Sequence, residues 1–375
     1  MYDLSNISVV LPSLDPDEKL GLVIDGLLEF GFRDIILVND GSKPENLHYF
    51  TEAAEAHPEI TLLHHEINRG KGAALKTAFS WFLENRPQGA GVITVDGDHQ
   101  HHPEDSRNCA LQMLRSGHLV LGCRDFSQPQ VPFRSRNGNR ITRGVFRLFC
   151  GMKISDTQTG LRAIPTRDLR TLVTVKGDRF EYETNMLLAL KENCIAWEEV
   201  KIRTVYIEEN KSSHFRAIRD SWRIYKLILA HFFRYTIASM LSFFVDESIF
   251  TLLSWCLHGI LAGFALTAVP TVTARILSSL FNFFMNKHLV FHSKERTGKA
   301  LLRYYALAAP TLLAQIVLTH GVFWLFAIGE SQIFLRALIY ALVMILLFIV
   351  SFTVQQRWVF APHKANSQQE EQKDE

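Results

Sequence analysis

The sequence has little cysteine for its 375 residues, and its cysteines form no motif. There are five of them, an odd number, scattered along the chain, and no two are spaced as Cys-x-x-Cys. A disulfide-stapled secreted domain carries an even set of cysteines at regular spacing. The pattern therefore predicts reduced thiols, as in a cytosolic compartment.

Two further features are missing, and each excludes a class of protein. The first residues show neither the basic region nor the apolar run of a signal peptide, because strand-like sequence begins almost at once. The formal net charge is only +2, and no basic block with interleaved aromatic residues precedes residue 210. We therefore expect a soluble part that stays in the cytoplasm and does not bind a nucleic acid polymer.

Charge is scarce in two long stretches of the second half. Only three Asp, Glu, Lys or Arg residues lie between Tyr235 and Asn286, and only two lie between Tyr304 and Gln356. The remainder of the chain is normally charged, so a soluble domain joined to a membrane domain is expected. The predicted organisation is a soluble domain over 1–209, a basic amphipathic juxtamembrane helix over 210–231, a membrane domain over 232–361 and a disordered polar tail over 362–375.

The soluble half alternates short apolar runs with stretches of helical periodicity. This alternation predicts parallel strands with right-handed crossovers, and ligands bind such sheets at the carboxyl ends of the strands. The segments expected to share that rim are Pro12, Asp40, Asn68–Gly72 and Asp96–Gln100. The predicted strands cover 7–12, 34–38, 60–63 and 91–95, and the predicted helices cover 17–30 and 73–83.

The sequence Asp96-Gly97-Asp98 follows a buried strand directly. Two carboxylates one residue apart at a strand end can converge on one cation, and Gln100 can add an amide oxygen. Hard oxygen ligands suit Mg²⁺ or Mn²⁺, with a diphosphate completing the coordination shell. A bare Asp-x-Asp is also common in solvated turns, and only its flanking residues favour the metal site.

The neighbouring motifs have simpler interpretations when taken alone. Asn39-Asp40-Gly41-Ser42 is typical turn chemistry. Gly70-Lys71-Gly72 lacks the third glycine of a dinucleotide fingerprint and the Lys-Ser or Lys-Thr of a P-loop. The cluster of His99, His101 and His102 lacks a second ligand pair with zinc spacing, so solvated histidines are expected.

Taken in order, these motifs resemble those of the family 2 glycosyltransferases, and more narrowly the dolichol-phosphate mannosyltransferase and bactoprenol glucosyltransferase branch. The match rests on Pro12, Val38–Ser42, Asn68–Leu75 and Asp96–Asp105, with further likeness at Gly122–Arg124, Asp156–Arg162 and Phe180–Glu183. Two departures are Asn39, where many members have aspartate, and Ser13-Leu14-Asp15, where Tyr-Asn-Glu is usual. The resemblance implies an α/β GT-A fold with a Rossmann-like, mostly parallel sheet.

The resemblance also implies roles for individual residues in transfer from a UDP- or GDP-linked sugar to polyprenyl phosphate. Asp96, Asp98 and Gln100 would hold the divalent cation. Pro12, Asp40, Asn68, Lys71, Asp96 and Gln158 would bind the donor. Asp98 with the cations Arg124, Arg134 and Arg136, next to Arg140, would form the catalytic set, because bidentate arginine suits phosphate. A phosphate acceptor is already ionised, so a strong general base is dispensable.

Four apolar stretches, at 233–256, 263–286, 304–327 and 333–355, are each long enough to span a bilayer as a helix. Lys and Arg concentrate before the first stretch, between the second and third, and after the fourth. By the positive-inside rule this predicts a multi-pass protein of the cell (inner) membrane with both termini and the soluble domain in the cytoplasm.

The two membrane hairpins repeat at an offset of 69 residues, as Tyr235 and Tyr304 illustrate (304 − 235 = 69). Asp246 and Arg275 lie at similar depths, about 20 and 16 Å from the cytoplasmic ends at about 1.5 Å per residue. Ionisable groups so deep are costly and are usually paired. We therefore predict an Asp246–Arg275 polar pair.

The membrane half resembles the GtrA-like four-helix family at Phe233–Tyr235, Ala274-Arg275, Asn282-Phe283, Asn286-Lys287 and Trp358–Phe360. For this half, an anchor beside the membrane lipids and translocation of a lipid-linked sugar are both open.

For the whole chain, we expect an inverting, metal-dependent glycosyltransferase that makes a polyprenyl-phosphate sugar. A transporter or scaffold whose soluble domain only binds nucleotide sugar is the alternative. Direct transfer to a protein or glycan would instead require a base such as Glu181 or Glu183. A homo-oligomer is compatible with each.

Overall fold

The computed structural model describes residues 3–129, 131–203, 217–262, 264–293, 295–328 and 332–361. The chain divides into two compact units between Leu227 and Ile228. The predicted tail over 362–375 and the beginning of the predicted juxtamembrane helix, 210–216, lie outside the described residues.

The first unit is built on one mixed sheet. Within the described residues the sheet has seven strands in the order β3-β2-β1-β4-β6-β5-β7. All neighbours pair in parallel except β6, which runs antiparallel to both β4 and β5. The strands are β1 (Ile7–Ser13), β2 (Ile35–Asp40), β3 (Ile60–His65), β4 (Gly91–Thr94), β5 (Leu119–Arg124), β6 (Arg162–Pro165) and β7 (Trp197–Ile202). The expected mostly parallel sheet is confirmed.

Helices cover both faces of this sheet. The core on one face combines apolar side chains of α1, α2 and α4 with those of the strands. Helix α3 packs on the opposite face with α6 and α7. This double cover explains why β1 is a continuous buried apolar run and not an alternating one. The helices are α1 (Lys19–Glu29), α2 (Leu47–Ala56), α3 (Lys71–Asn85), α4 (Pro103–Ser116), α5 (Phe133–Val145), α6 (Thr166–Val173) and α7 (Glu181–Glu192).

Strand β1 does not end at Pro12 as predicted but continues to Ser13. The N–H of Val9 donates to the carbonyl of Asp34, on the β2 side. Alternation along the strand therefore turns the nitrogen of Pro12 toward β4, where pairing already stops with Val10 opposite Thr94. Proline is tolerated there because no ladder hydrogen bond is lost.

The second unit contains four helices that are long and apolar enough to cross a membrane. They are α8 (Ala217–Leu257), α9 (Phe264–Met285), α10 (Thr297–Leu325) and α11 (Ile333–Val354), and single π-helical turns follow α9 at Asn286–Val290 and α11 at Gln355–Val359. The four predicted spans are present. The first span begins at Phe232, within helix α8, which is continuous with the described part of the predicted juxtamembrane helix from Ala217 onward.

The 69-residue repeat appears as reciprocal contacts between the hairpins. Asn286 and Gln355, which are equivalent in the repeat, hydrogen-bond each other at 3.2 Å. Tyr304 donates to Asn282 at 3.0 Å, and the equivalent Tyr235 donates to Ser351 at 3.4 Å. Each hairpin thus makes the same contact with the other, as in an isologous two-fold interface.

The aromatic packing between the hairpins repeats in the same way. The ring centroids of Phe283 and Phe360 are 5.6 Å apart, and those of the equivalent Phe352 and Phe291 are 5.7 Å apart. Phe291 and Phe360 stack on each other at 5.2 Å. Because Phe283 and Phe352 are both fully buried, the two halves of this aromatic core are matched.

We predict that Phe283→Ala and Phe352→Ala destabilise the protein equally. Each removes a fully buried ring, which costs about 3 kcal/mol or more, or a fall of about 6 °C or more in Tm. Thermal unfolding in detergent measures this. Phe284→Ala is the control, because that ring is 45% exposed and its loss should change Tm little. If Phe352→Ala behaved like Phe284→Ala, the two-fold packing would be refuted.

Candidate active site at the carboxyl ends of the strands

Asp40, the last residue of β2, is buried and collects three hydrogen bonds. Its carboxylate accepts from the backbone N–H groups of Arg69 at 3.0 Å and Gly70 at 2.8 Å. The imidazole Nδ1 of His65 lies 2.7 Å from the same group. Asp40 therefore fixes the loop that precedes α3. A contact from Asp40 to the nucleoside stays a prediction.

The two segments that depart from the family pattern contact each other. The hydroxyl of Ser42 accepts from the backbone N–H of Asp15 at 2.8 Å, and its own N–H donates to the Asn39 side chain at 2.9 Å. The carboxylate of Asp15 accepts from the N–H of Lys43 at 2.8 Å. Ser42 thus links Asn39 to Asp15 at the ends of β1 and β2, a contact between the two departures that no local sequence pattern predicts.

Asp96 lies at the centre of the site. Its Oδ1 is 2.7 Å from the Lys71 ammonium, and its Oδ2 is 3.5 Å from Nε2 of His101. The same ammonium is 3.0 Å from Glu183 at the start of α7. Gly160 gives the carboxylate its room, because a Cβ there would lie 2.3 Å from Oδ2 of Asp96.

Charge compensation sets the protonation of this cluster. Burial alone opposes the charge on Lys71, but the carboxylates of Asp96 and Glu183 raise its pKa above the usual lysine value. Burial alone would likewise raise the pKa of Asp96, but Lys71 and His101 hold it well below its usual range. Burial, and next the charge of Asp96, raise the pKa of Asp98. An ionised Asp96 thus stands beside an Asp98 whose charge is poorly compensated.

The residues present fit a hard divalent cation. Asp98 and Asp96 supply carboxylate oxygens, and each raises the cost of ionising the other unless a cation lies near. The N–H of Gln100 donates to Asp98 at 3.1 Å, which fixes the turn that carries all three predicted ligands. Among the described residues no three His, Cys, Asp or Glu side chains form a ready metal cage. Substrate oxygens would therefore complete the shell, as is usual for Mg²⁺.

Two of the predicted phosphate-binding arginines, Arg124 and Arg136, have protein partners in this structure. Arg124 forms a two-pronged contact with the fully buried Asp156, at 2.7 and 3.2 Å. Arg136 donates to the carbonyls of Phe126 at 3.1 Å and Gln128 at 2.9 Å, across the segment that follows β5. The side chain of Arg134 lies outside the described residues, and Arg140 is exposed. Their roles toward phosphate stay predictions.

The remaining predicted donor residues line the same edge with less support. Asn68 and Gln158 are exposed and Pro12 is half-buried. The backbone N–H of Gln158 donates to Asp156 at 3.0 Å, so Gln158 belongs to the turn that holds Arg124.

The expectation of solvated histidines is wrong, because none of the three is exposed and Nδ1 of His99 is buried. His101 is buried against Asp96, and Nδ1 of His102 accepts from the N–H of Glu104, which caps α4. The sequence analysis gave no role to Arg162, which is 2% exposed and donates to the carbonyls of Thr159 and Glu183 at 3.1 and 2.8 Å. Burial lowers the pKa of Arg162. The signal available in the sequence was the position of Arg162 in the Asp156–Arg162 motif, which does not indicate the side chain's burial or its partners.

Two family models match the chain. Residues 8–172 match Glycosyl transferase family 2, and residues 234–360 match the GtrA/DPMS transmembrane domain. The first match makes the chain a glycosyltransferase, and the resemblance drawn from the motifs is confirmed. The chain combines a Glycosyl transferase family 2 domain with a GtrA/DPMS transmembrane domain.

Several curated proteins are similar to this chain. An uncharacterized protein of Methanocaldococcus jannaschii is 28% identical over 60% of this chain and 93% of its own. The UDP-N-acetylglucosamine–dolichyl-phosphate N-acetylglucosaminyltransferase of Methanococcus voltae is 26% identical over 54% and 86%. An undecaprenyl-phosphate 4-deoxy-4-formamido-L-arabinose transferase of Pectobacterium atrosepticum is 25% identical over 55% and 61%.

Solved structures show a more distant likeness. Mannosyl-3-phosphoglycerate synthase from Rubrobacter xylanophilus matches with a TM-score of 0.47 and 16% identity, over 60% of this chain and 73% of that one. A mannosyltransferase from Pyrobaculum calidifontis, solved with GDP-Man and Mn²⁺, matches with a TM-score of 0.40 and 15% identity, over 95% and 88%.

We predict that Gly160→Ala lowers glycosyl transfer by about 100-fold, because the added methyl group displaces the Asp96 carboxylate and a shift of about 1 Å has that effect. Turnover at saturating donor measures the loss. Gly21→Ala is the matched control: Gly21 lies on the exposed face of α1, with no atom within 4 Å of the new Cβ. Equal turnover of the two variants would mean that Asp96 is not held as described.

Proposed function

We propose that this glycosyltransferase transfers a sugar from a nucleotide-sugar donor to polyprenyl phosphate, such as undecaprenyl phosphate, with inversion, for cell-surface polysaccharide or glycan synthesis. The observation that carries the proposal is the compensated carboxylate cluster around Asp96, in a chain with four helices able to span a membrane. The named relatives support the acceptor class. These relatives are named for different sugars but share dolichyl or undecaprenyl phosphate.

Asp96, Asp98 and Gln100 would hold Mg²⁺ or Mn²⁺. When bound, such a cation neutralises the charge that develops on the departing nucleoside diphosphate. Lys71, already charged beside Asp96, adds a second positive group at the place where that diphosphate would lie. Asp40 fixes the loop that precedes α3, and Lys71 is the first residue of that helix. Lys71 would therefore be oriented before the donor binds.

The acceptor would need no strong base. A phosphate monoester is ionised at neutral pH and can attack the anomeric carbon directly, which inverts the configuration. Arg124, Arg134 and Arg136 are the cations proposed to receive it, and Asp156 orients the first of them. Glu183, the candidate base for direct transfer to a protein or glycan, is instead engaged by Lys71 at 3.0 Å. This contact favours the phosphate acceptor.

The membrane half is proposed to anchor the enzyme beside its lipid substrate, with the soluble domain and both termini in the cytoplasm of the cell, as the distribution of Lys and Arg predicts. Translocation of the lipid-linked product is a second candidate role, favoured by one observation. Arg275 lies 3.4 Å from Asp246, which also accepts from Ser278 at 2.7 Å. The equivalent positions of the other hairpin hold Met344, Gln315 and Leu347.

The enzyme prediction is tested by transfer of radiolabelled sugar to undecaprenyl phosphate in detergent. A panel of UDP- and GDP-sugars with Mn²⁺ or Mg²⁺ should give a lipid product from one donor. Asp98→Ala and EDTA should each lower it at least about 100-fold, because a metal then no longer neutralises the charge that develops on the leaving group. Donor binding without transfer to any lipid acceptor would instead favour the transporter or scaffold.

The membrane pair is tested by charge exchange. Asp246→Asn and Arg275→Gln should each lower Tm in detergent by about 2–8 °C, from a lost interaction of about 1–2 kcal/mol. The exchange Asp246→Arg with Arg275→Asp should recover most of the loss. Gln315→Leu removes the polar side chain at the position equivalent to Asp246 in the repeat, so it is the control for losing a polar group that is not charged. Equal Tm values for both single variants and the exchanged protein would exclude the pair.

A further inference from the structure

The Lys71 ammonium lies between two carboxylates that come from different parts of the fold. It is 2.7 Å from Asp96, which follows β4, and 3.0 Å from Glu183, in the first turn of α7. Their side chains are 19%, 28% and 15% exposed, so water screens them only in part. One ammonium group thus neutralises two carboxylates, and it can move closer to either of them.

Backbone contacts fix Lys71 and Glu183 relative to each other. Gly72 packs so closely on α7 that a Cβ would lie 2.5 Å from the Tyr182 side chain. The N–H of Ala73 donates to the carbonyl of Asp178 at 2.9 Å. From the other side, Arg162 donates to the carbonyl of Glu183 at 2.8 Å. The packing of these backbone segments therefore fixes the Lys71–Glu183 contact. Asp96, in contrast, lies in the turn that follows the short strand β4.

The Lys71 ammonium already binds the carboxylate oxygen of Asp96 that a metal would need as a ligand. Lys71 donates to Oδ1 of Asp96, and Oδ2 is enclosed by Gly160 and His101. A divalent cation held by Asp96 and Asp98 would meet Lys71 at close range, where the two positive charges repel because water screens them only in part. The metal and the ammonium therefore compete for Asp96.

We propose that Lys71 is a resident cation on Asp96 which the divalent metal displaces, and that Glu183 is the positioning residue that receives it. This inference rests on the proposed function, since it assumes a metal at Asp96 and Asp98. In the displaced state Lys71 stays beside the metal, on Glu183, where it faces the same diphosphate. The charge of Lys71 then opposes metal binding, and Glu183 favours it by drawing Lys71 away.

The two residues should consequently shift metal affinity in opposite directions. In the full-length protein in detergent, without nucleotide sugar, Mn²⁺ binding is followed by loss of the free-ion EPR signal. Lys71→Gln should tighten the Kd for Mn²⁺ about 10-fold, and Glu183→Gln should weaken it about 10-fold, well within the interaction energies of such charges. Lys76→Gln is the matched control: it is on the same helix, paired with Asp178 at 2.6 Å, and should leave the Kd unchanged.

A double-mutant cycle separates positioning from simple charge attraction. If Glu183 acts through Lys71, then Glu183→Gln has little effect once Lys71 is glutamine. A 10-fold weakening that persists in the Lys71→Gln background would overturn the proposal, as would a Kd that Lys71→Gln leaves unchanged or weakens. Lys71→Met, which keeps the aliphatic stem, replaces Lys71→Gln if that variant does not fold.

Failure of the proposed function gives a different result. Absence of Mn²⁺ binding to the wild-type protein, or binding that Asp98→Ala does not affect, would refute the metal site itself. Normal, Asp98-dependent binding that is insensitive to Lys71 and Glu183 would refute only the inference.

Discussion

The contact between Lys71 and Asp96, 2.7 Å long, is the interaction on which the catalytic half depends. A parallel sheet brings the ends of its strands to one edge, and in this chain those ends carry carboxylates. Each must be compensated because it is partly or wholly removed from water. Backbone amides compensate Asp40, Arg124 compensates Asp156, and Lys71 compensates Asp96 together with Glu183. The compensating groups come from other elements, so satisfying the charges also assembles the site.

Much of this arrangement could be predicted because it depends on local pattern. The strands are short apolar runs, the membrane helices are long ones, and glycine or aspartate marks the strand ends. These signals placed the rim and the four spans correctly. The boundaries shifted where pairing extended a strand past its apolar residues, as in β2, which carries Asn39 and Asp40 within its pairing to β3.

The partners of the charged residues could not be predicted in this way. Glu183 is 112 residues from Lys71 in sequence, and no local periodicity relates them. The burial of His101 depends on Asp96, and the antiparallel course of β6 depends on which neighbours its edges find. Hydrophobic patterning tells which face of an element is covered, but it does not tell which polar group will lie opposite. Motif resemblance located Arg162 and Glu183 without showing that one holds the other.

The membrane half offers an internal comparison, since two hairpins of one fold differ in charge. Contacts that both make, such as those of Tyr235 and Tyr304, are the ones the fold requires. The charged pair of Asp246 and Arg275 is outside that set, because the second hairpin packs without it. With Glu247 the first hairpin carries two acids and one base at this depth, a formal charge of −1. That negative charge disfavours direct contact with a lipid phosphate. A role in translocation would therefore act through the contact between α8 and α9, which Asp246, Arg275 and Ser278 form.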